Sequence, residues 1–301
     1  MSNIIAVIWD FDKTLVDGYM QEPIFNEYGV DSKKFWDEVN KMPKEIYNEQ
    51  GVNVNKETIY LNKFIRESQE GGKFAGLNNN KLRKLGEKLN FYPGVESFFK
   101  QIVNLPNLEE NSTWKEYGIS IENYIISTGF KEIVKGCSLM KYTKEIWGCE
   151  IIEKNNILAE IGYTLDNTTK TRALFEINKG VGFVDNIDVN SKMPEELRRI
   201  QFKNMIYIAD GPSDVPAFSL MKKNGGATFA VYPRGNKDAF RQVENLRKDG
   251  RVDMFAEANY ETNSTASMWI INKIEEFANR IIDNSKKKLE ESIGDSPKHL
   301  T

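Results

Sequence analysis

Short apolar runs recur along the chain: IIAVIW at 4–9, YII at 124–126, MIYIA at 205–209 and TFAVY at 228–232. Each is followed by polar or glycine-containing residues and then by a helical pattern. Runs apolar on both faces that alternate with helices predict buried strands of a parallel sheet. VDMFA at 252–256 is a candidate for a further strand, and CEIIEKNNILAEIGYT at 149–164 predicts a β-hairpin turning at Asn155-Asn156. Ile270, Ile274, Phe277 and Ile281 step as the buried face of a last amphipathic helix, and from residue 285 the polar sequence predicts a frayed tail.

Residues 18–89 follow a different pattern. Phe35, Val39, Met42 and Ile46 have helical spacing, with Pro43 expected to kink or divide the segment. Leu61, Phe64 and Ile65 form a second short apolar face, and Leu82, Leu85 and Leu89 a third. The Asn- and Gly-rich stretches NEQGVNVN and EGGKFAGLNNN separate them as loops. The expected architecture is therefore α/β: a Rossmann-like parallel sheet with a helical insertion at 18–89. The core would be discontinuous, from 1–17 and 90–284, with a polar tail at 285–301.

Composition narrows the chemistry. With 301 residues and 40% hydrophobic content, the chain can bury a sizeable core, yet no stretch reaches the ~20 apolar residues of a membrane span. The N-terminal apolar run lacks a signal peptide's basic flank and cleavage site, so a cytoplasmic protein is expected. A net charge of −3 gives no footprint for nucleic acid or acidic lipid. Cys137 and Cys149 read as two structural thiols. The one histidine, His299, stands two residues from the end, which excludes a Ser-His-Asp triad, a His-rich zinc site and a histidine base. Acid–base work falls to carboxylates, Lys, Tyr or Cys.

Ligands of an open parallel sheet sit beyond the carboxyl ends of its strands. The first strand delivers Asp10-Phe11-Asp12-Lys13-Thr14 there, the second Ser127-Thr128-Gly129, and MIYIA delivers Asp210-Gly211-Pro212-Ser213-Asp214. Four carboxylates, a hydroxyl and glycine-containing turns on one edge suit magnesium-assisted phosphoryl transfer. Hard oxygen ligands bind Mg2+, and a carboxylate can attack phosphorus.

DFDKTLV, IISTGF and ADGPSD, in that order and each closing an apolar strand, resemble the first, second and fourth motifs of the haloacid dehalogenase superfamily. The helical segment after the first motif resembles the cap of its phosphoserine-phosphatase branch. The resemblance implies a phosphomonoesterase with Asp10 as nucleophile, Asp12 as acid/base and Thr14 supporting the loop. It implies Mg2+ held by Asp10, the Asp12 carbonyl and Asp210, with Asp214 just behind, and a phosphate held by Ser127, Thr128 and Gly129. The third-motif lysine has two candidates. Lys170 follows the capping run Asp166-Asn167-Thr168-Thr169, whereas Lys192 precedes an acidic turn; Lys170 is the expected choice for catalysis and phosphate binding. Tyr19, Met20 and Glu22 are candidates for substrate specificity. The expected partner is a small phosphate ester, with no nucleic acid or membrane. A phosphomutase or phosphotransferase, or a magnesium-binding regulatory protein without activity, are the alternatives.

Overall fold

A computed structural model describes residues 3–294. Among the described residues there are seven strands: β1 (Ile4–Trp9), β2 (Ser120–Phe130), β3 (Thr143–Lys154), β4 (Ile157–Tyr163), β5 (Met205–Ala209), β6 (Ala227–Tyr232) and β7 (Met254–Glu257). They form one sheet in the order β4-β3-β2-β1-β5-β6-β7, parallel except for the antiparallel β3–β4 pair. The central run IIAVIW is buried because helices cover both faces. Trp9 packs on Phe98, Phe99 and Tyr260, and its indole N–H finds the Asn123 side-chain oxygen at 3.0 Å.

The β3–β4 hairpin turns where the sequence predicts, at Asn155 (φ 53°) and Asn156 (φ 61°). Two left-handed residues in a two-residue loop match the twist of the strands, and asparagine tolerates that conformation.

Four helices lie between β1 and the rest of the sheet: α1 (Glu22–Tyr28), α2 (Ser32–Gln50), α3 (Ile59–Glu67) and α4 (Asn79–Gly86). The chain leaves and re-enters the core side by side, with Tyr92 N–H bonding Leu15 O at 2.9 Å and Asp17 N–H bonding Asn90 O at 3.0 Å. Pro43 does not divide α2, which runs unbroken through it. An interior proline costs about 3 kcal/mol. Phe35, Val39 and Met42 are all buried on this helix, at roughly 1.5–3 kcal/mol each, and outweigh it. Phe35 and Phe64 pack with ring centres 4.8 Å apart, tilted by 53°, at the centre of the insertion, and Phe64 meets Phe130 of β2 edge-on at 5.2 Å.

The remaining α-helices among the described residues are α5 (Val95–Asn104), α6 (Ser112–Glu116), α7 (Lys131–Gly136), α8 (Lys170–Lys179), α9 (Val215–Lys223), α10 (Lys237–Lys248) and α11 (Thr265–Gly294). The insertion sits tightly on α7. A Cβ on Gly86 would fall 2.0 Å from the Ile133 carbonyl oxygen, and one on Gly136 would fall 1.7 Å from that of Arg83. Backbone touches backbone there, which only glycine permits.

Two expectations about lengths are corrected. The strand read as YII extends to Phe130, so Ser127–Gly129 lie within β2 rather than after it. The tail predicted from residue 285 is helical to Gly294, because Lys, Leu and Glu are strong helix formers and neither Gly nor Pro intervenes. The rest of that tail, His299 included, lies outside the described residues. No helix among the described residues is long and apolar enough to cross a membrane.

Candidate active site

Asp10 stands immediately after β1, its N–H bonded to Ile208 O of β5 at 2.9 Å, so the backbone ladder fixes its position. It is 6% exposed. Thr14 Oγ1 donates to Asp10 Oδ2 at 3.0 Å, and the Thr14 carbonyl accepts from the Tyr260 hydroxyl at 2.7 Å. Lys170 is the first residue of α8 and is 2% exposed. Its Nζ lies 2.6 Å from Asp10 Oδ1 and 2.7 Å from Asp214 Oδ1. Asp214, fully buried, also accepts from the Tyr207 hydroxyl at 2.6 Å and, on its other oxygen, from Ser213 Oγ at 2.8 Å.

The polar run before α8 acts one turn earlier than a simple cap. Asp166 Oδ1 accepts from the Thr168 and Thr169 amides at 3.0 and 2.7 Å, and Asp166 O accepts from Lys170 N at 3.0 Å. The insertion contributes here, since Asn55 donates to Asp166 Oδ2 at 3.0 Å and Glu57 accepts from the Asn167 amide at 2.7 Å. Lys192 is exposed on a loop just before a short 3-10 helix (Glu195–Leu197).

Ser127, Thr128 and Gly129 occupy the part of β2 where the register with β3 shifts, between Ile126 and Phe130. Ser127 is buried, and its Oγ accepts from Gly129 N at 3.0 Å. The Thr128 carbonyl is held by the Tyr60 hydroxyl of α3 at 2.7 Å and by Cys149 Sγ at 3.3 Å. Both cysteines are free and buried.

Burial dominates the electrostatics. It raises the Asp10 carboxyl to about 6, with the Lys170 ammonium opposing and the Asp214 charge assisting. Asp12 rises to about 7 through burial and the neighbouring Asp10 charge, although the Met20 amide donates to its Oδ1 at 2.9 Å. Asp210, partly exposed, rises to about 8 through burial and the charges of Asp10 and Asp214. Burial works against the Lys170 ammonium, but Asp10 and Asp214 more than compensate and raise its pKa. Carboxylate oxygens of Asp10, Asp210 and Asp214 all lie within 4.8 Å of one another. A set of hard oxygen donors under mutual repulsion fits a small divalent cation such as magnesium.

Of the specificity candidates, Met20 is buried with its thioether against Gly129, where a Cβ would come within 2.4 Å of the sulfur. Tyr19 is exposed and accepts from Lys13 Nζ at 2.6 Å, while Glu22 opens α1 and burial raises its pKa. Two polar atoms on this side are buried without a protein partner, Gln21 Oε1 and Trp36 Nε1.

No protein-family model matches the chain. An uncharacterised protein of Borreliella burgdorferi (strain B31) is 39% identical over 291 residues, covering 90% of this chain and 97% of that one. The two chains belong to one family. A HAD-family hydrolase from Salmonella enterica serovar Typhi superposes with a TM-score of 0.50 at 14% identity, over 84% of this chain and 67% of that one. The fold is that of the haloacid dehalogenase hydrolases. A substrate-bound phosphoserine phosphatase also aligns, at a TM-score of 0.49 and 18% identity, over 84% of this chain and 92% of that one.

In this haloacid dehalogenase fold, Asp10, Asp12, Asp210, Asp214 and Lys170 meet at one sheet edge, with Ser127–Gly129 on the neighbouring strand. Sequence reading missed two hydroxyls. Tyr207 reads as one more apolar residue of MIYIA, yet a phenol in a fully buried strand needs a partner, and that need was the available signal. Tyr60 carries no such signal, because its partner is a main-chain carbonyl 68 positions away.

Proposed function

We propose that the chain is a magnesium-dependent phosphomonoesterase that hydrolyses a small phosphorylated metabolite through an aspartyl-phosphate on Asp10. The observation that carries this reading is the buried Lys170 ammonium clamped between Asp10 and Asp214. It keeps one Asp10 oxygen oriented by charge and the other by Thr14, on a backbone fixed by β5.

Attack of an Asp10 carboxylate oxygen on phosphorus forms the acyl-phosphate and breaks the bond to the leaving alcohol. Asp12, whose carboxyl is raised to about 7, is protonated often enough near neutrality to give its proton to that leaving oxygen. Asp12 then takes a proton from water, which attacks phosphorus, returns Asp10 as carboxylate and releases inorganic phosphate. Lys170 stabilises charge beside Asp10 throughout, and Ser127 with the amides of Thr128 and Gly129 would hold phosphoryl oxygens. Asp10, Asp210 and the Asp12 carbonyl, backed by Asp214, would hold the magnesium ion, which supplies the positive charge that lets a carboxylate approach a phosphate dianion. Residues 18–89 serve as the cap over a core formed by 1–17 and the chain from residue 90, shielding the reaction from water.

The test is hydrolysis of p-nitrophenyl phosphate and of a panel of phosphorylated metabolites, with magnesium and with EDTA. Turnover that needs magnesium and vanishes in Asp10→Asn supports the proposal. Undiminished turnover in EDTA or in Asp10→Asn would overturn it.

A further inference from the structure

Residues 55–60, the end of the loop between α2 and α3 with the first residues of α3, touch the core at two places. Asn55 organises the segment itself, accepting from the Glu57 amide at 2.9 Å through its side-chain oxygen and from the Ile59 amide at 3.0 Å through its carbonyl. The Tyr60 hydroxyl donates to the Thr128 carbonyl at 2.7 Å. The Tyr60 ring is fixed by Trp36, Phe64 and Phe130, with ring centres 5.7, 6.1 and 5.8 Å away. At the second place Asn55 Nδ2 donates to Asp166 Oδ2 at 3.0 Å, and Glu57 accepts from the Asn167 amide and side-chain N–H, both at 2.7 Å.

Each grip has a geometric consequence for the site. The register of β2 with β3 shifts between Ile126 and Phe130, and the Thr128 carbonyl there takes side-chain partners, Tyr60 and Cys149. That carbonyl and the Gly129 N–H belong to one planar peptide unit, so holding the oxygen aims the N–H. Ser127 Oγ accepts from this N–H at 3.0 Å, which leaves its own hydrogen for a phosphoryl oxygen. On the other side, Asp166 caps the start of α8 and its carbonyl takes the Lys170 amide at 3.0 Å. The turn held by Asn55 and Glu57 therefore sets where the Lys170 stem leaves the backbone. We infer that Asn55, Glu57 and Tyr60 are positioning residues for the phosphoryl group rather than for the leaving alcohol: this cap segment sets the Gly129 amide and the Lys170 ammonium in register across Asp10. The inference rests on the phosphomonoesterase reading and divides the cap. Residues 55–60 serve what every ester shares, and selection of the organic group falls to other parts of the cap.

The experiment uses the full chain with magnesium and three esters, p-nitrophenyl phosphate and the two metabolites of the panel that wild type hydrolyses fastest, with inorganic phosphate as the inhibitor common to all. Tyr60→Phe keeps the ring and its packing and removes the hydroxyl. It should raise the inhibition constant of inorganic phosphate and the KM of every ester by a common factor of about five, the scale of one neutral hydrogen bond, with kcat little changed. Asn55→Asp keeps the oxygen that accepts from Glu57 and replaces the donor facing Asp166 with a carboxylate oxygen, so charge repulsion pries the segment from the start of α8. It should lower kcat on every ester by a common factor of about ten, short of the ~10²-fold loss that a 1 Å misplacement brings. Ratios of kcat/KM among the three esters stay at wild-type values in both variants. A phosphate inhibition constant unchanged in Tyr60→Phe, with only a lower melting temperature, makes the hydroxyl a structural brace and overturns the inference. Wild-type kcat in Asn55→Asp overturns it too, and so does a factor that differs between esters, which would place the segment at the organic group. Each of these results leaves the phosphatase reading intact, whereas no turnover of any ester by wild type overturns both.

Discussion

Replacing Lys170 with methionine should damage catalysis and stability together, and the structure sets both magnitudes. The ammonium is 2% exposed and bonds two buried carboxylates at 2.6 and 2.7 Å. Breaking a buried pair by deleting one partner typically costs about 3–5 kcal/mol, because the remaining charge is left uncompensated. Here Asp214 keeps its bonds from Tyr207 and Ser213, and Asp10 keeps Thr14, which places the cost near the lower end, about 3 kcal/mol. Catalysis loses one fixed cation beside the nucleophile, a loss of about 10²-fold or more in kcat. Urea denaturation in EDTA measures the first effect, and steady-state turnover with magnesium measures the second. Lys192→Ala, at an exposed loop position, should stay within about 0.5 kcal/mol of wild type in stability and retain activity. The reverse pattern between the two variants, or a Lys170→Met protein as stable and active as wild type, would refute the reasoning.

Three further outcomes are expected. Asp10, Asp12 and Asp210 hold protons more tightly in the fold, at about 6, 7 and 8, than the ordinary value of 3.8. Their contribution to stability is therefore full below that ordinary value and is lost as pH rises through 6 to 8, so the EDTA-treated protein should melt lower at pH 8 than at pH 5, and magnesium should narrow the gap. An unchanged melting temperature across that range would contradict the burial of these groups. Tyr60→Phe removes the hydroxyl joining α3 to the Thr128 carbonyl; it should cost about 1 kcal/mol in denaturation and raise KM more than it lowers kcat. Gly86→Ala would drive a methyl group to 2.0 Å from the Ile133 carbonyl oxygen, forcing α4 off α7 at about 2–3 kcal/mol, visible as a lower denaturation midpoint.

Much of the fold was legible because the signals were local. Runs such as IIAVIW are apolar on both faces only where helices cover both sides of a sheet, and Asn155-Asn156 is a turn by its own backbone tolerance. The strand-end carboxylates were legible for the same reason, since topology alone brings the ends of parallel strands to one edge. The misses came from forces that act at a distance. Tertiary burial of Phe35, Val39 and Met42 carries α2 through Pro43, which local propensity argues against. Pairing with β1 and β3 extends β2 far past its three most apolar residues. The choice of Lys170 over Lys192 could be argued from capping residues, but the clamp on Asp214 and the support from Tyr207 depend on contacts across 44 and 7 positions.

The central claim is that Asp10 carries the phosphoryl group, and trapping that state tests it most directly. Beryllofluoride mimics a phosphoryl group bonded to a carboxylate, and a crystal grown with it and magnesium reports which residue is the nucleophile. The account predicts beryllium bonded to an Asp10 carboxylate oxygen, with Lys170 and Ser127 contacting the fluorides and no adduct in Asp10→Asn. An adduct on Asp12, or one that persists in Asp10→Asn, would contradict it.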